Sequence, residues 1–313
     1  MIKKTLYFGN PAYLKLRNAQ LVIQFPEIVN NDSLPEAFKK LEERTIPIED
    51  IGVVVLDNRQ ITISQGAMGA MLENNCAVIV CDSKSMPTGL MLPLYGNTTQ
   101  SERFRYQIDS SLPLRKQLWQ QTVRQKILNQ GRVLNRYADD NFPCMAIWAN
   151  DVKSGDADNL EGRAAAFYWR HLFPDIPDFV RDRTGEYPNN LLNYGYAILR
   201  AVIARALVGS GLLPTLGIHH HNRYNAYCLA DDIMEPYRPY VDELVIKVMR
   251  EQPDHKELDR DMKAKLLQIP VLDVVIDGQK SPLMIAAGIT TASLAKCFLG
   301  ECRKVSYPEY GGI

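Results

Sequence analysis

The chain has 313 residues, with 36 Lys plus Arg balanced by 36 Asp plus Glu, and 46% of its residues are hydrophobic. That composition excludes a disordered or disulfide-stapled chain and leaves room for one large or two modest hydrophobic cores. A formal net charge of zero gives no overall attraction to a polyanion, although a basic patch fits within a neutral total.

From Lys3 to about Val80 the sequence offers short β-rich runs, among them "KKTLYFG", "AYLKLRNAQLVIQF", "IEDIGVVVLD" and "CAVIVCD", separated by Asn, Asp, Gly and Pro. Only "SQGAMGAMLEN" reads as a helix there. After "DSKSMPTGLMLPLYGN" the pattern changes to long helical stretches, and "VLDVVIDGQKSPLMI" reads as a late hairpin turning at Asp277-Gly278. The predicted fold class is α+β: a small N-terminal β-rich domain over residues 1–85, a linker over 86–101 and a larger, mainly α-helical domain over 102–313. Nothing at the N-terminus resembles a signal peptide, and no stretch is expected to span a bilayer, so a cytoplasmic protein without a membrane partner is expected. Cys76, Cys81, Cys144, Cys228, Cys297 and Cys302 include no C-x-x-C pair and are expected as free, mostly buried thiols.

The chemistry-bearing residues lie in the second region. Three consecutive histidines, His219 to His221, precede Asp232 and Glu235. On one straight helix Asp232 would lie roughly 16 Å from His221, too far to share a metal ion, so the chain must turn between them. Asn225 is a plausible N-cap for a helix starting at Ala226. Asp232 and Glu235 are spaced i, i+3, and Pro236 removes the amide that would have bonded the carbonyl of Asp232, which predicts a kink at the acids. On the helix "NLEGRAAAFYWRHLF", Glu161 falls on the stripe of Ala165, Tyr168 and Leu172, while Arg163 and Arg170 mark the solvent side. An inward carboxylate requires a cation, either a metal or an arginine, unless it serves the helix dipole in the first turn. Two carboxylates and one imidazole form a hard ligand set that suits Mg²⁺ or Mn²⁺.

Between Arg103 and Arg136 the basic residues Arg103, Arg105, Arg115, Lys116, Arg124, Lys126, Arg132 and Arg136 accompany a lone acid, Asp109, once Glu102 is passed. A positive surface for DNA phosphates is one reading and a solvated helix face the other. Trp119 is expected in the core in preference to a base-stacking role. Metal-binding carboxylates near such a helix suit phosphodiester chemistry.

These segments resemble the CRISPR-associated integrase family that captures spacers during adaptation, in the branch that accompanies single-protein RNA-guided effectors. The resemblance runs nearly end to end and rests on "NLEGRAAAFYW", "YPNNLLNYGYAILRAVIARALVGSGLLPTLGIHHHN" and "LADDIMEPYRPYVD", following a β-domain with "IEDIGVVVLD" and "CAVIVCDSKSMPTG". It implies metal ligands at Glu161, at His220 of a Gly-x-x-His element and at Glu235, with Asp232 as a further ligand or a supporting acid. Arg238, beside these acids, joins the expected DNA-binding set. His219 departs from the family pattern, in which an apolar or aromatic residue is usual. The resemblance also implies 3′-hydroxyl attack of short double-stranded DNA on CRISPR repeat DNA, with cleavage of branched DNA as a side reaction. A homodimer through the β-domain and a small ferredoxin-like adaptation partner are implied as well. The residues alone support metal-dependent phosphoryl transfer, so a structure-selective nuclease and a non-catalytic DNA scaffold remain alternatives.

Overall fold

The computed structural model describes residues 3–137, 141–176 and 179–311, so the outermost ends of the expected domain spans lie outside the described residues. It divides into two units, residues 1–96 and 97–313.

The first unit is built on two four-stranded sheets. One takes β1 (Lys4–Phe8), β5 (Ile51–Leu56), β7 (Ala77–Cys81) and β8 (Pro87–Met91) in that spatial order, parallel except for the antiparallel β7–β8 pair. The other has the order β4 (Arg44–Pro47), β3 (Gln20–Gln24), β2 (Tyr13–Arg17), β6 (Thr62–Ile63). Asn18 and Ala19 both take positive φ, 49° and 57°, giving the two-residue turn that matches the twist of the β2–β3 hairpin. Strand β5, flanked on both sides, is buried from Ile51 to Val55, as its unbroken apolar run requires. Leu14, Leu21, Ile51, Val54 and Met71 form the core between sheet and helix. Two short helices, α1 (Pro26–Val29) and α2 (Glu36–Leu41), interrupt a region in which only α3 (Gln65–Glu73) reads as helical, and neither contains a buried residue. The stretch 86–101, expected as a linker, contributes β8, because Pro87 to Met91 pair with β7 despite their Pro and Gly content.

The second unit is helical: α4 (Gln100–Ile108), α5 (Leu112–Tyr137), α6 (Pro143–Asp151), α7 (Leu160–Leu172), α8 (Asn189–Gly209), α9 (Cys228–Met234), α10 (Arg238–Glu251), α11 (Arg260–Leu266) and α12 (Leu283–Phe298). Between the last two, β9 (Asp273–Ile276) and β10 (Gln279–Pro282) form the hairpin, turning at Asp277 and Gly278 with φ of 49° and 74°. Helix α8 is long and apolar enough to cross a membrane, contrary to the expectation that no stretch would be. However, 72% of its apolar window is buried, and it packs against α9, α10 and α12. It is the core helix of this unit. All six cysteines are unbridged.

Candidate active site

Four elements of the helical unit bring the predicted site residues together. Helix α7 presents Glu161 from its first turn. That turn is held by Asp156, whose two carboxylate oxygens accept the amides of Leu160 and Glu161 at 2.9 and 3.0 Å. Leu160, Ala164, Tyr168 and Leu172 form the buried stripe of α7, with Arg163 and Arg170 exposed. Helix α9 stops at Met234. Pro236 offers no amide to the carbonyl of Asp232, so the Glu235 amide takes that carbonyl and the chain passes through a 3₁₀ turn, Glu235–Tyr237, into α10. The predicted kink is this turn, and it points Glu235 inward, 5% exposed.

The third element is the loop ahead of α9. Asn225 is not the helix N-cap: its side-chain oxygen accepts the Tyr227 amide in a local turn, and α9 begins at Cys228. The loop folds back onto α9 as the spacing required. Asp232, fully buried, accepts the amides of Ile218, His219 and His220 at 2.7, 3.0 and 3.3 Å. Its Oδ1 also lies 2.5 Å from His220 Nδ1. A carboxylate only accepts here, so Nδ1 carries a proton, and in the neutral ring the Nε2 lone pair is left available. The hydrogen bond that His220 donates to Asp232 raises the His220 pKa above its usual value. A Cβ on Gly217 would lie 2.3 Å from the His220 carbonyl and 2.8 Å from Asp232 Oδ2. Only glycine lets the loop close this tightly.

Helix α5 is the fourth element. Lys126, expected on a DNA-facing surface, is instead buried: its ammonium hydrogen-bonds Glu161 Oε1 and lies 2.6 Å from Glu235 Oε2. Arg238, also expected to face DNA, donates from Nε to Glu235 Oε1 at 2.8 Å, and its guanidinium lies 4.5 Å from the Tyr196 ring centre. Burial would push Glu235 upward, but Arg238 and Lys126 more than offset it and hold the carboxyl at about 2. Burial likewise disfavours the Lys126 ammonium, yet Glu235 and Glu161 keep its pKa above the usual value. The inward cation pairing of Glu161 is thus made by a lysine from α5.

His219 stacks on the buried Trp119, ring centres 4.1 Å apart and planes 3° from parallel. Burial lowers its pKa. It fills an aromatic position as an aromatic ring, and Trp119 is unavailable to nucleobases.

The other basic residues separate into two groups. Arg105, Lys116, Arg124 and Arg132 are exposed, and Arg115 is half-buried. Arg103 donates to the Ser210 carbonyl at the end of α8, 2.7 Å away, which is a capping role. A cavity of about 360 Å³ beside the histidines is lined by Arg115, His220, His221 and Arg223. Arg223 is a site-lining cation that no motif or spacing singled out. Nor did periodicity indicate the buried carboxylate of Asp242, which accepts from the hydroxyls of Tyr168 at 2.9 Å and Tyr196 at 2.5 Å. Burial, only partly offset by those hydroxyls, lifts its pKa to about 6.

Among the described residues no three His, Cys, Asp or Glu side chains stand ready as a metal site, since Lys126 occupies the point between the two acids. A divalent cation nevertheless fits. Glu161 and Glu235 already converge on one positive charge, the Lys126 ammonium. An imidazole whose other nitrogen is held by a carboxylate is the usual form of a metal-ligating histidine.

The model of the family described as CRISPR associated protein Cas1 matches residues 6–276. The CRISPR-associated endonuclease Cas1 of Neisseria meningitidis is 35% identical over 320 aligned positions, covering 99% of this chain and all of that one. Among solved structures, a casposase bound to integration product aligns with a TM-score of 0.77 at 20% identity, over 97% of this chain and 92% of the other. A Cas6-RT-Cas1–Cas2 complex gives 0.70 at 18% identity, covering 96% of this chain and 35% of that one. Likeness at such identities establishes the shared fold, while the family match and the full-length relative carry the assignment: this chain belongs to the Cas1 family of CRISPR-associated proteins.

Proposed function

We propose that the protein is a metal-dependent DNA integrase of CRISPR adaptation, joining the 3′-hydroxyls of short double-stranded DNA to repeat DNA, with branched-DNA cleavage as the reverse chemistry. The observation that carries this reading is the meeting of Glu161 and Glu235 at a single cation while Asp232 holds His220 through Nδ1. Glu161, Glu235 and His220 would hold Mg²⁺ or Mn²⁺, which when bound would polarise a phosphoryl oxygen and ease deprotonation of the attacking hydroxyl. Asp232 orients the imidazole, Arg238 fixes the second oxygen of Glu235, and Arg115 and Arg223 supply positive charge beside the histidines for a phosphodiester. Exposed Arg105, Lys116, Arg124 and Arg132 offer further phosphate contacts.

The Neisseria relative is named an endonuclease and the casposase was solved bound to integration product, and both support strand chemistry on DNA. The Cas1–Cas2 complex supports a small adaptation partner, for which a ferredoxin-like fold and two flanking homodimers are our reading. Six unbridged thiols are in keeping with action in the cytoplasm.

Joining and hydrolysis differ in the nucleophile. Fragments ending in a 3′-dideoxynucleotide are expected to bind normally and give no joined product, because positioning a hydroxyl in line supplies much of the rate. Target nicking as fast with dideoxy ends as with hydroxyl ends would identify water as the attacking group and replace the integrase with a structure-selective nuclease. Binding without either reaction would leave a DNA scaffold.

A further inference from the structure

Among the described residues, Lys126 is the one basic residue of α5 whose charged end is enclosed by the site. Its side chain is 8% exposed, and its ammonium contacts a carboxylate oxygen from each of two elements that are 74 residues apart in sequence (235 − 161), α7 and the turn after α9. The other oxygen of Glu235 is taken by Arg238 at 2.8 Å. The two acids therefore have one shared point of convergence, and Lys126 fills it.

We propose that Lys126 is the built-in counter-ion of the site, holding Glu161 and Glu235 together in the metal-free protein and yielding its place when a divalent cation binds. This rests on the metal-dependent reading above and adds a competition that the reading does not contain. Two buried carboxylates without a cation repel one another and carry a large desolvation cost, so the pocket needs a positive charge at all times. A Mg²⁺ ion bonds carboxylate oxygens at about 2.0–2.1 Å, so an ion shared by Glu161 and Glu235 would compete with the ammonium for the same place. Two cations at that spacing exclude each other in a poorly solvated site. Lysine suits the exchange because its charge is a compact group on a flexible four-carbon stem, unlike the rigid fork of arginine. Arg238 stays, so Glu235 keeps its orientation through the exchange and offers Oε2 alone.

A site that binds only when an internal competitor is displaced has its affinity reduced by the fraction of time the competitor is away, and Lys126→Met is expected to bind Mn²⁺ about tenfold more tightly than the native chain. The measurement is calorimetric titration of the full chain with Mn²⁺, paired with thermal unfolding with and without the ion. In the same experiment Lys126→Met should melt at a lower temperature than the native chain without metal and gain more from Mn²⁺. Lys126→Arg should bind Mn²⁺ more weakly than the native chain. A Lys126→Met chain that folds only when Mn²⁺ is present supports the proposal. Weaker Mn²⁺ binding by Lys126→Met overturns it, because the lysine would then be supporting the ligands. Lys126→Gln is the second neutral variant, and if both remain unfolded at saturating Mn²⁺ the ammonium is a permanent structural cation and the proposal is wrong. Equal binding by native and Lys126→Met chains leaves the metal reading intact and overturns this proposal alone. Uptake of Mn²⁺ by neither chain removes both.

Discussion

His220 and Asp232 form a joint unit: Nδ1 of the half-exposed imidazole meets the fully buried carboxylate at 2.5 Å, and the same carboxylate accepts three successive loop amides. The acid therefore sets both where the loop lies and which way the ring faces. Asp232→Asn removes the negative acceptor and presents an NH₂ group to donors. Mn²⁺ binding and strand transfer are expected to fall by about 10- to 100-fold, with duplex DNA affinity nearly unchanged. Full activity in Asp232→Asn would show that His220 needs no orienting partner.

His219 and His220 should separate by role. Glu161→Gln, His220→Ala and Glu235→Gln are each expected to abolish strand transfer while DNA binding stays within a few-fold. His219→Phe should remain active, because the ring stacks on Trp119 as an aromatic surface. His219→Ala should lose about 0.5–1.5 kcal/mol of stability with the stack and most of the activity should survive. A silent His219→Phe enzyme would move the ligand register by one residue.

Salt dependence distinguishes surface cations from buried ones. Each Lys or Arg that engages a duplex phosphate contributes about 0.9 to the slope of log affinity against log salt, so Lys116→Gln with Arg124→Gln should reduce that slope by about 2. Arg238→Gln should leave the slope unchanged and lower thermal stability, since its partner is Glu235. An unaltered slope in the double variant would make the outer face of α5 an ordinary solvated surface.

Two glycines offer a controlled comparison. Gly217→Ala would force a Cβ against the His220 carbonyl and Asp232, so the loop must shift and strand transfer should be lost. Gly278→Ala meets no atom within 4 Å but keeps a φ of +74°, and should cost about 1–3 kcal/mol of stability with activity per folded molecule intact. Equal activity in the two variants would refute the tight closure of the Gly-x-x-His loop.

The Asp242 carboxyl, raised to about 6 in the folded chain, has an ordinary value near 3.9 when unfolded. Between about pH 4 and 6 the folded state therefore holds the extra proton, and stability from this group is lost as pH rises through that window. Asp242→Asn cannot titrate. Denaturation at pH 4.5 and 7 should show the native chain losing ground to Asp242→Asn at the higher pH, and a constant difference would mean that Asp242 is ionised throughout.

Much of the site was legible because proline and spacing act locally. Pro236 imposed the turn that aims Glu235, and the separation of the histidines from the acids required the loop to fold back. Lys126 was legible too, since Trp119, Val123, Lys126, Gln130 and Val133 recur at helical spacing on the buried face of α5, but the density of basic residues around it suggested a surface. The Asp242 network was not legible, because Tyr168, Tyr196 and Asp242 come from α7, α8 and α10 and nothing local links them. Strand β8 was hidden by Pro and Gly, which an edge strand tolerates.

The turn after Glu235 is fastened from behind by a single amide. Asn129 donates to the carbonyls of Pro236 and Pro308 at 2.8 and 2.9 Å and accepts the Tyr310 amide at 3.0 Å. The segment 308–310 is in this way a latch on the turn that carries Glu235, reached through α5. A random mutagenesis screen scored by integration would rank Asn129 and the residues at 308–310 beside Glu161, His220 and Glu235, although Asn129, Pro308 and Tyr310 are buried. The screen would be reporting on alignment of the apparatus, and purified variants would reveal this by regaining activity at lower temperature, where the latch is less needed.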